Sequence, residues 1–210
     1  MEVRFFRKLS LFIACLSVGL ISFGIFSSIS EAAYYGWKWK TISFQGDVVL
    51  RVNDDSLNSS YGGSVYTDGL ALWTNSGADV MISDSPDTSA DVYFISVASS
   101  VWNSNGWGNG YAWTQPYRDD AVACMTKPIH NIDTLCGTGK LVNYAAIYTN
   151  NGNIIASSKR RALVAHELGH VMGLAHTEYL SAKADSLMTA ALAGGLVPSS
   201  YDVQQLNDRY

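Results

Sequence analysis

His166-Glu167-Leu168-Gly169-His170-Val171-Met172-Gly173-Leu174-Ala175-His176 has the form HExxHxxGxxH. The chain has 210 residues and four histidines, three of them inside this stretch. Of its four glutamates (Glu2, Glu31, Glu167 and Glu178), one stands between the first two of these histidines. Residues four apart on an α-helix share a face, about one turn apart. The spacing therefore aims the imidazoles of His166 and His170 at one point. Glu167, one step round the helix, reaches a water bound at that point. Gly173 lacks a Cβ, so the chain leaves the helix there with positive φ and turns sharply. His176 then swings back toward the first two histidines. Three neutral imidazoles with an open fourth position describe a catalytic zinc site rather than a closed structural one. His166, His170 and His176 are the expected metal ligands. Glu167 is the expected general base, acting on a zinc-bound water whose pKa the metal lowers to about 7. A histidine-bearing helix without metal and a zinc site without hydrolysis are the readings set against this one.

The flanking residues suit a helix. Ser157 or Ser158 offers an N-cap, although Lys159-Arg160-Arg161 opposes the helix dipole in the first turn. Ala162, Ala165, His166, Gly169 and His170 fall on one face, and Leu163 and Val164 begin apolar packing beside it. Small residues near the ligands would let the helix lie close under a sheet.

With these residues in view the sequence resembles the metzincins, zinc endopeptidases named for this motif and a following Met-turn. Ser186-Leu187-Met188-Thr189 matches the turn, with Met188 twelve residues after His176. The resemblance implies that Met188 is a hydrophobic floor beneath the metal and not a ligand. Gly194-Gly195 and Pro198 break the chain, and Ser199 or Ser200 caps a final helix over residues 201–209. That ending is similar to the matrixin branch, as is Tyr35-Gly36-Trp37-Lys38-Trp39 as a domain start. Ala90-Asp91-Val92-Tyr93-Phe94 resembles the family's third strand. The departures are specific. No cysteine-bearing inhibitory propeptide fits before Tyr34. A second, structural zinc lacks histidines, since only His130 remains. Thr177 stands where matrixins commonly have serine. Ala190, two residues after Met188, replaces the metal-binding tyrosine of some other branches.

Residues 1–32 read as a secretory signal peptide. Arg4, Arg7 and Lys8 precede an apolar run from Leu9 to Ile29, and Ser30-Glu31-Ala32 supplies small residues for cleavage after Ala32. A retained membrane anchor is the competing reading. The residues before Cys15 fit a lipobox poorly. Residues 33–210 then form one catalytic domain, large enough for a sizeable core. Removing the leader's three cations and two acids leaves 11 positive and 16 negative residues, a formal charge of −5. That balance gives no sign of nucleic-acid binding. Cys124 and Cys136 form an even pair in an exported chain and read as a disulfide, with zinc ligation as the alternative.

The remaining pattern predicts an α+β fold: a twisted, mixed sheet with an active-site helix and a C-terminal helix. Strands are expected over Ile42–Val52, Asp79–Ser83, Asp91–Val97, Tyr111–Thr114 and Leu141–Tyr148, with a helix over Tyr66–Thr74. Ser99–Gly110 reads as an ordered loop whose tryptophans need packing. Tyr111–Thr114 is the expected sheet edge for an extended peptide or protein substrate. Thr189–Pro198, built of Ala, Leu and Gly, is the expected wall of an apolar pocket. The acidic pairs Asp54-Asp55, Asp84 to Asp87 and Asp119-Asp120 are candidate Ca²⁺ ligands without diagnostic spacing, and solvated turns account for them as well. The functional expectation is a secreted, extracellular, monomeric zinc endopeptidase with no stable membrane association after cleavage. A non-proteolytic zinc-binding interaction module and a zinc amidase acting on cell-wall peptide are the alternatives.

Overall fold

The computed structural model describes residues 34–210 apart from 55, 58–60, 62, 86–88, 119–122, 124–138 and 178–183. The leader with Cys15, the Cys124–Cys136 pair, His130, and Asp55, Asp87, Asp119 and Asp120 lie outside the described residues. All described residues belong to the unit Ala33–Tyr210.

Six strands form one sheet: β1 (Lys38–Trp39), β2 (Val48–Asn53), β3 (Val80–Asp84), β4 (Val92–Val97), β5 (Ala112–Arg118) and β6 (Leu141–Asn150). The order is β1-β6-β4-β2-β3, with β5 also paired to β6. All pairings are parallel except β5 with β6, which is antiparallel. The sheet is therefore mixed, as expected. Parallel neighbours need crossovers, and α1 (Gly63–Thr74) supplies the one between β2 and β3. Alternation of β-branched and leucine side chains puts Val48, Leu50 and Val52 of β2 fully inside, the period-two signature of a strand with one core face.

Two strand boundaries differ from expectation by more than two residues. β2 starts at Val48, not Ile42, because Ser43 to Asp47 closes a turn. The Ser43 N–H donates to the Asp47 carbonyl at 2.7 Å, and Ser43 Oγ accepts from the N–H groups of Gln45 and Asp47. Ile42 keeps only an isolated bridge to Val48. β5 runs on past Thr114 through Pro116, which its edge position tolerates. The segment before it is ordered, and it opens with a short helix, α2 (Ser99–Ser104). Trp102 is buried there, donates to the Gly108 carbonyl at 2.9 Å and meets Trp107 edge-on at 5.0 Å. The expectation of packed tryptophans holds; the helix was hidden by six residues too short to show a period.

α3 (Arg160–Val171) carries the histidine motif, and α4 (Ser200–Arg209) closes the fold. Ser157 and Ser158 do not cap α3. They form a 3₁₀ turn with Lys159, and no side chain caps the helix. Ala162 through Val171 are all buried, so α3 beyond its first two residues lies inside on every side. Trp73 of α1 ties to it, donating its indole N–H to the Ala165 carbonyl at 2.7 Å. No helix among the described residues is long and apolar enough to cross a membrane.

Candidate active site

The last two turns of α3 and the residues after it bring the three histidines together. Gly173 takes φ +88°, the left-handed turn expected of it. The chain then runs back, and Leu174 bridges Tyr34 while the Tyr35 N–H donates to the Gly173 carbonyl at 2.9 Å. The Nε2 atoms of His166, His170 and His176 stand 3.1 Å from one another in all three pairings. Among the described residues, this is the group of three or more His, Cys, Asp or Glu side chains that could share a metal ion.

Hydrogen bonds fix which nitrogens face inward. His166 Nδ1 donates to the Leu187 carbonyl at 2.8 Å, and His170 Nδ1 donates to the Leu174 carbonyl at 2.8 Å. A carbonyl only accepts, so both rings carry their proton on Nδ1 and turn an Nε2 lone pair to the centre. Two lone pairs 3.1 Å apart repel unless a cation lies between them. A point about 2.0–2.1 Å from all three atoms, the usual zinc–imidazole distance, exists over such a triangle. Burial, with His166 and His176 adding to it, holds the His170 pKa well below the ordinary value. Its neutral, ligating form is favoured in consequence. The donor set and its orientation fit zinc.

Beneath the ligands lies a floor that sequence spacing only partly foretold. A Cβ on Gly169 would come within 2.4 Å of Met188 Sδ, so the missing side chain is what admits the methionine against the helix. Gly169 thus faces Met188, with Trp73 beyond, and not the sheet. Met188 is 1% exposed. The turn carrying it is held by Asp202, itself 1% exposed. Asp202 accepts from Ser186 Oγ at 2.5 Å and the Leu187 N–H at 2.8 Å. It also accepts from the N–H and Oγ of Ser199, closing a capping box at the start of α4. Ser199 is the cap, one of the two expected. Asp202 was not singled out from sequence; an acid three residues after a serine was its signal.

Glu167 is 5% exposed, and its carboxylate Oε2 accepts from Thr114 Oγ1 of β5 at 2.6 Å. Burial pushes its pKa up to about 7, and the Thr114 hydrogen bond pulls the other way. A carboxyl poised near neutrality suits proton transfer. Thr114 was expected only as part of a substrate edge, and its link to Glu167 spans 53 residues, beyond any local pattern.

A cavity of about 340 Å³ opens beside the triad. Glu167 and the histidines line one side, Trp107 to Ala112 another, and Leu163, Ala190 and Leu192 a third. The expected wall from Thr189 to Pro198 is therefore present through Ala190 and Leu192.

A buried helix offering two imidazoles with a carboxyl between them, a third imidazole converging from beyond the Gly173 turn, and a cleft alongside define the metallopeptidase class of site. The family model Reprolysin_5, described as Metallo-peptidase family M12, matches residues 52–205, and the chain belongs to this family of peptide hydrolases. The match supports a zinc peptidase without supporting the matrixin branch. No curated protein matches the chain.

Proposed function

We propose that this chain is a secreted, zinc-dependent endopeptidase acting on extended stretches of protein. The observation that carries the reading is the triangle of Nε2 atoms with Glu167 buried beside it. His166, His170 and His176 would hold the metal. When bound, zinc lowers the pKa of a coordinated water toward 7 and polarises a carbonyl as a Lewis acid. Glu167 accepts the proton of the attacking water and delivers it to the departing amine nitrogen, so one proton moves and the carboxylate is regenerated. β5 supports an extended substrate: it is an antiparallel edge strand whose first residue, Ala112, lines the cleft. A peptide adding to that edge would be held by main-chain hydrogen bonds, with side chains alternating into and out of the cleft. Leu163, Ala190 and Leu192 favour an apolar side chain there. The leader at 1–32 supports export. The closing helix docked on the Met188 turn through Asp202 supports a matrixin-like ending. We take the protein to work as a monomer without nucleic acid.

Digestion of casein by the purified chain, with and without chelator, tests this. Internal fragments that vanish with chelator and return with added zinc are the expected result. Cleavage of cell-wall peptide with casein left intact would replace the reading by the amidase. A zinc-loaded protein inert on both would leave a binding module.

A further inference from the structure

Thr114 sits on β5 with 3% of its surface exposed, facing α3 across the core. Its Oγ1 lies 2.6 Å from Glu167 Oε2 and 3.2 Å from the Glu167 carbonyl oxygen. A hydroxyl has one proton to give. The shorter contact, to the carboxylate, takes it, and its length is that of a charge-assisted bond. The strand itself does not ask for a hydroxyl. Valine has nearly the same shape, is at least as favourable in a strand, and would bury without needing a partner. What the hydroxyl adds at this position is a hold on Glu167. A glutamate side chain otherwise has three rotatable bonds to order.

We propose that Thr114 is a positioning residue for Glu167: its hydroxyl fixes one carboxylate oxygen against β5 and leaves the other as the acceptor for the water's proton. The proposal rests on the peptidase reading above. Oε2 stays engaged with Thr114, which keeps its own proton throughout. The free oxygen takes a proton from water and passes it to the amine nitrogen as the C–N bond breaks. Because β5 is also the strand proposed to pair with substrate, one strand sets both the register of the peptide and the place of the base.

The test compares Thr114→Val and Thr114→Ser with the wild type, all zinc-loaded, using zinc content, melting temperature, and kcat and KM on a fluorogenic peptide. Crystal structures of the variants report where the Glu167 carboxylate lies. Thr114→Val is expected to lower kcat about tenfold or more, the scale of losing a hydrogen bond to a charged group. Its KM and zinc content should stay at the wild-type values, and its Glu167 carboxylate should leave the position it holds here. Thr114→Ser should restore kcat to within about threefold, since it returns the donor. If Thr114→Val fails to fold, Thr114→Ala carries the same comparison. Full kcat in the valine or alanine variant overturns the proposal, as does a serine variant as slow as valine. An inactive wild type overturns the peptidase reading itself and so is a separate outcome.

Discussion

Beneath the three histidines, one buried carboxylate accepts four hydrogen bonds and a methionine lies against a glycine. Beside them, the cleft is bounded by Trp107, the backbone of Gly108 to Gly110, and the aliphatic residues Leu163, Ala190 and Leu192. The floor is made of groups held by specific hydrogen bonds and close packing. The rim is made of backbone course and apolar bulk, which many sequences could supply. A floor of this kind fixes where charge and metal sit; a rim of this kind fixes what is admitted. Substitutions in the floor should therefore change whether the protein works, and those in the rim what it works on.

The largest effect should come from the ligands and the base. Glu167→Ala is expected to keep zinc at one per chain while turnover falls roughly 10²–10⁴-fold, the usual worth of a general base. His176→Ala should lose both, because one of three ligands is gone. Metal analysis and casein hydrolysis on the same two samples separate them. A Glu167→Ala protein at near-full activity would break the division of labour between base and ligands.

Next comes the support of the floor. Asp202→Ala strands the donors of Ser186, Leu187 and Ser199 in a buried site. The expected cost is about 3 kcal/mol or more, read as a drop in denaturant midpoint. Gly169→Ala places a methyl 2.4 Å from Met188 Sδ. Overpacking of this kind costs about 1–3 kcal/mol, and weaker zinc retention should accompany it, because the same helix turn bears His170. If Gly169→Ala matches the wild type in both measurements, the floor is softer than its packing implies.

The same contrast explains what could be read from the sequence. His166, Glu167, His170, Gly173 and His176 were legible because helix periodicity and a positive-φ turn convert linear spacing into a point in space. The Ser199 cap was legible for a similarly local reason, whereas the Met188 turn was legible only through the resemblance that the histidine motif carries. Asp202 and Thr114 act through contacts 15 and 53 residues away in the chain, to Leu187 and Glu167, and no periodicity reports such distances. The strands were legible by alternation, but the Ser43–Asp47 turn that shortens β2 is made by side-chain hydrogen bonds that alternation ignores. α3 was expected to pack through the ligand-bearing face and the faces beside it; Ala162 to Val171 are buried on every side.

The smallest effect should come from the rim, and it separates the two regions most cleanly. Leu192 has φ +50°, the one positive-φ residue other than glycine among the described residues. It is buried and lines the cleft. A side chain in that backbone region costs about 1–2 kcal/mol, so the surroundings must hold it there. Lys159, in the turn leading into α3, donates its ammonium to the Leu192 carbonyl at 2.8 Å. Lys159→Met keeps the apolar stem and removes that donor. Stability should fall by only about 1 kcal/mol, with zinc content and the turnover of the best substrate within about threefold of wild type. What should change is discrimination. The ratio of kcat/KM between peptides that differ only in the residue entering the apolar pocket should move toward one, because a freed Leu192 wall no longer excludes the wrong shape. Unchanged ratios would mean that the wall is set by its own 3₁₀ turn, Ala190–Leu192, alone. A large loss of zinc would mean that rim and floor are one cooperative unit and not two regions with separate roles.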